Sequence, residues 1–180
     1  MQKEYNISVF TENHIGLLNR ITIVFSRRKI NIESLTVSES ALKGISKFTI
    51  VINTTEDRVK QVVNQIEKIV DVLKAYYHTN EEMIYQEIAL YKVPTDKLFD
   101  GNQVETIIRN HGARILEVDR DFIFIEKTGH PEDTQRLFDE LQSFDIQQFI
   151  RSGRVAITKS PIEKLSVFLK ERDELLKSIN

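Results

Sequence analysis

Histidines and carboxylates are the main candidates for chemistry in this chain, because it contains no cysteine. Disulfides, thiolate catalysis and cysteine-ligated metal sites are therefore excluded. The histidines are not at spacings typical of metal ligands, and the adjacent carboxylate pairs fall where helices are expected to begin. Common phosphate-binding, nucleophile and metalloprotease motifs are absent, so nothing here indicates an enzyme. The four histidines are His14, His78, His111 and His130.

A different chemistry is indicated by the stretch ENHIGLLNR, in which Gly16 stands between a predicted strand and a predicted helix. The glycine alone is explained by the backbone freedom that a turn requires. However, the N–H groups at a helix N-terminus favour a carboxylate, and the amide of Asn13 both donates and accepts hydrogen bonds. A second amide, Asn31, lies between two isoleucines. Together these residues suit a small amphoteric ligand with an apolar side chain, such as a branched-chain amino acid.

Composition places the chain among ordinary globular proteins. It has 180 residues, 41% hydrophobic and 29% charged, and its 25 basic and 27 acidic residues give a net charge of −2. This balance gives no reason to expect bulk attraction to nucleic acid or to a membrane. The N-terminal sequence MQKEYNISV lacks the apolar region of a signal peptide, so we expect a cytoplasmic protein.

The first half of the chain predicts the element order βαββαβ. Apolar residues alternate in the predicted strands and recur at helical spacing in the predicted helices. The second strand is expected to carry a β-bulge, because its alternation slips between Ile32 and Leu35. The predicted elements are a strand at 5–11, a helix at 15–28, strands at 30–40 and 45–53, a helix following Thr54, and a strand at 72–78.

The second half repeats this order at a spacing of about 80 residues, without evident sequence identity. The βαββαβ order implies an antiparallel four-stranded sheet with two helices on one face. We therefore predict an α+β protein with two tandem ferredoxin-like units at 1–80 and 81–160, followed by a C-terminal helix at 161–180. That helix is expected to pack on its own domain or to dock onto a partner through Ile162, Leu165, Leu169, Leu176 and Ile179.

The run ENHIGLLNRITIVFSRRKINIESLTV resembles the signature of the regulatory small subunit of acetohydroxyacid synthase (AHAS), also called acetolactate synthase. The resemblance continues through QIEKIVDVLKAYYH, QEIALYKV and FIRSGRVAITK, and covers about residues 3 to 160. It implies an N-terminal ACT domain and a second, ACT-like ferredoxin fold, in agreement with the predicted repeat.

The resemblance also implies a function. Members of the family have no catalysis of their own and stimulate a separate catalytic subunit, which carries thiamine diphosphate, magnesium and FAD. Valine then acts as an allosteric feedback inhibitor of branched-chain amino acid synthesis, bound between the ACT domains of a homodimer. By position, the effector-binding residues would be Asn13, His14, Ile15, Gly16, Leu17 and Leu18 of one chain with Asn31 and Ile32 of the other.

Two other functions stay open on the sequence alone. A freestanding ACT sensor would bind an amino acid and act on some other enzyme or regulator. A small enzyme would use the ferredoxin-like sheet as a platform, although no nucleophile–base pair or metal cluster supports it. The surface that contacts a catalytic subunit is expected on the first helix, at Arg20, Arg27 and Arg28, or on the last helix.

Overall fold

The computed structural model describes residues 1–99, 102–161, 165–170 and 174. The chain divides into two compact units. The first contains Met1–Ile84 and the described residues from Ala156 onward, and the second contains Tyr85–Val155.

The first unit has the predicted βαββαβ order. Its antiparallel sheet has the strand order β2-β3-β1-β4, so the first and third strands lie in the middle. The alternation in Tyr5–Thr11 and the apolar stripe of the first helix therefore predicted these elements correctly. The elements are β1 (Lys3–Glu12), α1 (Leu17–Arg27), β2 (Ser34–Glu39), β3 (Ile45–Thr54), α2 (Glu56–Ile66) and β4 (Val72–Thr79).

The core of the first unit forms where α1 and α2 cover one face of the sheet. Alternate residues of β1 and β3 point into it, and Ile7, Ile50 and Ile52 have no exposed surface. Burying an aliphatic side chain of this size contributes about 1.5–3 kcal/mol. The helices add Ile21, Val24, Phe25, Val59, Val62, Val63 and Ile66.

The predicted bulge in the second strand is wrong. β2 begins at Ser34 and pairs with β3 without a register shift, so Asn31 precedes the strand rather than opening it. The slip between Ile32 and Leu35 arises because Ile32 precedes β2, in the segment that follows the turn after α1, whereas Leu35 lies within the strand. The chain leaves α1 through a left-handed Lys29, at φ 53°, and the N–H of Ile30 bonds the Phe25 carbonyl at 3.1 Å. This turn, rather than strand geometry, directs Ile30 into the core.

The second sheet repeats the strand order as β6-β7-β5-β8, and β9 also pairs with β5. The predicted single closing strand is in fact two strands, because residues 152–154 between them are not paired in the sheet. A short helix, α3, was not predicted. The elements are β5 (Met83–Pro94), α3 (Asp96–Phe99), α4 (Gln103–Asn110), β6 (Arg114–Val118), β7 (Phe122–Gly129), α5 (Pro131–Leu141), β8 (Gln148–Arg151) and β9 (Val155–Thr158).

The core of the second unit lies between its sheet and the helices α4 and α5. Tyr91 in β5 is fully buried, and its hydroxyl donates to the Thr134 carbonyl at 2.7 Å. A buried tyrosine hydroxyl usually requires such a partner. The surrounding apolar residues are Ala89, Val93, Val104, Ile108, Ile123, Ile125, Leu137 and Leu141.

Residues 165–170 are helical, in the segment where a C-terminal helix was predicted. Leu165 is 2% exposed and lines a cavity of about 240 Å³ with Phe10, Tyr76 and Ile157 of the same unit. This burial agrees with packing of the helix on its own unit. Three residues of the predicted apolar stripe lie outside the described residues: Ile162, Leu176 and Ile179.

Candidate functional site

The turn between β1 and α1 is built around Gly16. This residue adopts φ 87°, a left-handed conformation that L side chains rarely take, and a Cβ placed on it would meet no atom within 4 Å. Glycine is therefore needed for backbone conformation and not for space within the chain. Two backbone bonds fix the approach to the turn: the N–H of Asn13 donates to the Gly44 carbonyl, and that of His14 donates to the Glu12 carbonyl, each at 3.0 Å.

The N-terminus of α1 has donors without the usual internal partners. Gly16 is the N-cap and has no side chain with which to cap the helix, and no acidic residue occurs in the first turn. The first helical hydrogen bond runs from the Arg20 N–H to the Gly16 carbonyl at 3.2 Å. The N–H groups of Leu17 and Leu18 thus precede this ladder, at the positive end of the helix dipole. This arrangement can bind a carboxylate.

The first group of predicted site residues is mostly exposed. Asn13, His14 and Gly16 lie at the surface, and the side chain of Ile15 projects fully into solvent. Leu17 is only 2% exposed, so its side chain contacts the protein interior and only its N–H could contact a ligand. Leu18, at 47% exposed, presents an apolar surface beside the turn.

The second group of predicted site residues does not line the same cleft as Asn13 within one chain. The side chain of Asn31 donates to the Glu33 carboxylate at 3.0 Å. Ile32 is half-buried and packs against the core of the first unit. A site containing both groups would therefore require a second copy of the chain, as the family resemblance implies.

A cleft of about 530 Å³ lies beside the turn and contains residues that the sequence analysis did not assign to the site. The β2–β3 turn reaches the cleft because β3 pairs antiparallel with β1, which places Ile45 opposite Glu12. That proximity follows from the predicted topology and could have been found from it. The cleft is lined by Glu12, Asn13, His14, Lys43, Gly44, Ile45 and Leu73.

Two of the three arginines predicted to contact a catalytic subunit have partners within the chain. Arg20 donates to the Asp71 carboxylate at 3.0 Å and to the Val70 carbonyl at 2.9 Å. Arg28 donates to the side chains of Gln61 and Gln65 at 3.0 and 2.9 Å. Both side chains therefore have a structural role besides any contact with another protein.

Among the described residues, no helix has the length and hydropathy required to cross a membrane.

Two family models match the chain in succession. Residues 7–74 match the AHAS small subunit-like ACT domain, and residues 86–160 match the model described as small subunit of acetolactate synthase. The two matches fall on the two repeats of the βαββαβ order described above.

Known proteins are similar to this chain over nearly their own whole length, in agreement with these matches. The acetolactate synthase small subunit of Bacillus subtilis is 33% identical over 164 residues, which is 89% of this chain and 93% of that protein. That of Mycolicibacterium smegmatis is 31% identical over 157 residues, or 87% and 92%. The crystal structure of the Thermotoga maritima acetolactate synthase small subunit matches with a TM-score of 0.80 at 26% identity, covering 89% of this chain and 99% of that one. The chain therefore belongs to the acetolactate synthase small-subunit family.

Proposed function

We propose that this chain is a regulatory subunit that stimulates a separate acetolactate synthase catalytic subunit and makes it sensitive to valine. The observation that carries the proposal is the uncapped N-terminus of α1 after the left-handed Gly16, in a chain that belongs to the small-subunit family. The catalytic partner would hold thiamine diphosphate, magnesium and FAD, and would perform the chemistry. We place both subunits in the cytoplasm.

Valine would bind through its two charged groups and its isopropyl group separately. Its carboxylate would accept hydrogen bonds from the N–H groups of Leu17 and Leu18 at the positive end of α1. A carboxylate at such a position gains about 0.3–1 kcal/mol from the helix dipole, in addition to the hydrogen bonds. The side-chain oxygen of Asn13 would accept from the ammonium.

The remaining contacts would come from a second copy of the chain. Asn31 of the second copy would bind the ammonium, and its Ile32 would pack on the isopropyl group. Homodimer formation is supported by the sheet, in which β2 is an edge strand whose only neighbouring strand among the described residues is β3. Val37 on this strand is 44% exposed and adds apolar surface to the edge. Pairing two such edges across a two-fold axis would satisfy the backbone and complete the site.

Reconstitution with the catalytic subunit of the same organism tests this proposal. Acetolactate formation is followed with the catalytic subunit alone, with both subunits, and with both subunits plus valine. We expect the chain to increase the rate and valine to reverse the increase. An increase that valine does not change would retain the partner and contradict the effector, after which leucine and isoleucine are tested. No increase would contradict the subunit role and favour the freestanding sensor.

A further inference from the structure

Three potential metal ligands converge at the end of β1, outside the hydrogen bonds assigned to valine. Glu12, His14 and Asp71 each offer one donor atom, and these atoms lie within 4.8 Å of one another. All three residues belong to the first unit. Sequence spacing could not reveal the group, because Asp71 lies in the loop that follows α2 and reaches β1 only through the fold.

Backbone hydrogen bonds hold these residues together before any ligand binds. The N–H of Glu12 donates to the Asp71 carbonyl at 2.9 Å, and the N–H of His14 donates to the Glu12 carbonyl at 3.0 Å. The chain therefore does not have to close a loop in order to assemble the three side chains. Such preassembly reduces the entropy lost on binding.

The two oxygens of Asp71 have different neighbours. Oδ2 accepts a hydrogen bond from Arg20 at 3.0 Å, while Oδ1 faces His14 Nδ1 at 3.4 Å. Arg20 is itself anchored on the Val70 carbonyl. Metal-binding carboxylates are commonly oriented by such an outer partner on the oxygen that does not bind the metal. Asp71 thus presents one oriented oxygen toward the imidazole.

The donor set selects the class of metal. One imidazole nitrogen and two carboxylate oxygens suit zinc and similar first-row divalent ions, whereas magnesium and calcium prefer oxygen alone. Bonds of about 2.0–2.2 Å place neighbouring donors about 3.0–3.6 Å apart. Nδ1 of His14 lies 3.4 Å from Asp71 Oδ1, within this range, whereas the other ring nitrogen, Nε2, lies 3.8 Å from Glu12 Oε2. One ion bound by Nδ1 and Asp71 therefore requires the exposed Glu12 carboxylate to move toward Nδ1 from a donor spacing of at most 4.8 Å.

Charge and access also permit an ion. Arg20 donates to Asp71 Oδ2, and Lys43 lines the neighbouring cleft. The negative charge that faces an ion would therefore come from the Glu12 carboxylate and from Asp71 Oδ1. The cleft is wide enough for water to complete the coordination of a metal with three protein ligands. We propose that Glu12, His14 and Asp71 bind one divalent first-row transition ion of the zinc type.

Titration of the full-length, tag-free chain with zinc chloride tests the site directly. Calorimetry is carried out in a buffer that does not chelate metal, without valine and without the catalytic subunit. We expect saturation at one zinc per chain. His14→Ala and Asp71→Asn are each expected to weaken zinc binding at least tenfold, with unchanged circular dichroism and thermal midpoint within a few degrees.

His111→Ala is the matched control, because His111 lies 2.9 Å from the Glu140 carboxylate in the second unit and forms the same kind of pair without a third ligand among the described residues. It is expected to leave zinc affinity unchanged. Equal affinity of wild type and His14→Ala, absence of a one-equivalent transition, or a loss confined to His111→Ala would each overturn the proposal. Because valine and the catalytic partner are absent, failure here leaves the proposed regulatory function untouched.

Discussion

The two units share one strand order and differ at the turn after their first strand. In the first unit, four residues connect β1 to α1, and the helix begins directly after the left-handed Gly16 with no acidic residue in its first turn. In the second unit, β5 is followed by α3, and α4 begins after Asn102 with Glu105 in its first turn. The same topology therefore leaves the first turn of α1 without a carboxylate and places one, Glu105, in the first turn of α4.

A second helix of the second unit makes the contrast sharper. At the start of α5, the carboxylate of Asp133 accepts from the His130 N–H at 3.1 Å and also pairs with Arg136. The protein thus satisfies this helix N-terminus internally. The comparison teaches that a helix end can gain stability from its own side chains or remain open for a ligand, and that the local sequence decides between the two.

Truncating an isoleucine at the equivalent core position of each unit should destabilise both units by a similar amount. Ile50 pairs with Ile7 in the first sheet as Ile125 pairs with Tyr91 in the second, and neither isoleucine has exposed surface. Ile50→Ala and Ile125→Ala are each expected to lower the free energy of unfolding by about 2–5 kcal/mol, measured by urea denaturation. The fully exposed Ile15→Ala should change it by less than about 0.5 kcal/mol. A loss below about 1 kcal/mol at either core site would contradict the assigned packing.

The turn itself is tested by placing charge at Gly16. Gly16→Asp is expected to weaken valine binding at least tenfold, because the new carboxylate repels that of valine. Gly16→Asn has nearly the same shape and tolerates the left-handed backbone similarly, so it separates charge from strain. Gly112→Asp is the control in the second unit, since Gly112 also has positive φ and open space around its Cβ. Calorimetric titration with valine measures all three variants.

The proposed contact is supported only if Gly16→Asp binds valine more weakly than the uncharged Gly16→Asn. If the Asp and Asn variants at position 16 bind valine equally, the carboxylate does not lie at the end of α1. If Gly112→Asp weakens binding as much as Gly16→Asp, the loss is not specific to the turn before α1.

The buried hydroxyl of Tyr91 distinguishes the two cores, because the equivalent position in the first unit is Ile7. Tyr91→Phe is expected to lower the free energy of unfolding by about 1 kcal/mol at neutral pH, since it removes the bond to the Thr134 carbonyl. Burial raises the pKa of Tyr91 above its ordinary value. Its neutral form therefore contributes stability below about pH 10, which is lost as the pH rises further. Denaturation at pH 8 and above pH 10 should show the difference between wild type and variant shrinking at the higher pH; a difference independent of pH would contradict this assignment.

The smallest expected effect is at the start of α5. The His130 N–H, and then Arg136, lower the pKa of Asp133 below its ordinary value. A lowered pKa contributes stability above the ordinary aspartate value, near pH 4, and this stability is lost as the pH falls through the folded-state value. Asp133→Asn should therefore reduce stability by about 0.5–1 kcal/mol at pH 7 and flatten the acid side of the profile.

Asp57→Asn is the matched control, because Asp57 lies in the first turn of α2, a helix whose N-cap has no side-chain hydrogen bond. We expect a change of a few tenths of a kcal/mol there. Equal effects of the two substitutions would mean that the bonds of Asp133 to His130 and Arg136 add nothing to the interaction with the helix dipole.

Most of the fold could be predicted from the sequence because it rests on local periodicity. The alternation in β1 and β3 and the apolar stripe of α2 identified those elements, and their repetition identified the second unit. The bulge assigned to β2 was wrong because Ile32 lies before the strand, after the turn that ends α1, so Ile32 and Leu35 do not belong to one alternating strand. The closing segment was predicted as one strand with a bend at Gly153, whereas it forms two strands, because both halves alternate like one strand.

The candidate site could be predicted only in part, because its residues meet across the fold. Gly16 was identifiable from its position between a strand and a helix. Asp71 and Lys43 were not assigned, since they lie in loops whose sequence carries no ligand signal. The role of Asn31 and Ile32 depends on a second chain, so the proposed dimer has to be tested before their contacts.

Gly16 has one consequence that concerns chirality. Its φ of 87° is unfavourable for an L-residue but ordinary for a D-residue, and the space around its Cβ is open. A semisynthetic chain with D-alanine at this position should therefore fold with equal or greater stability, because the methyl group restricts the unfolded chain without straining the folded one. The mirror-image substitution, L-alanine, should be less stable by about 1 kcal/mol or more. The difference in stability between the D-alanine and L-alanine chains would then measure how strongly this turn requires a left-handed residue, independently of any ligand.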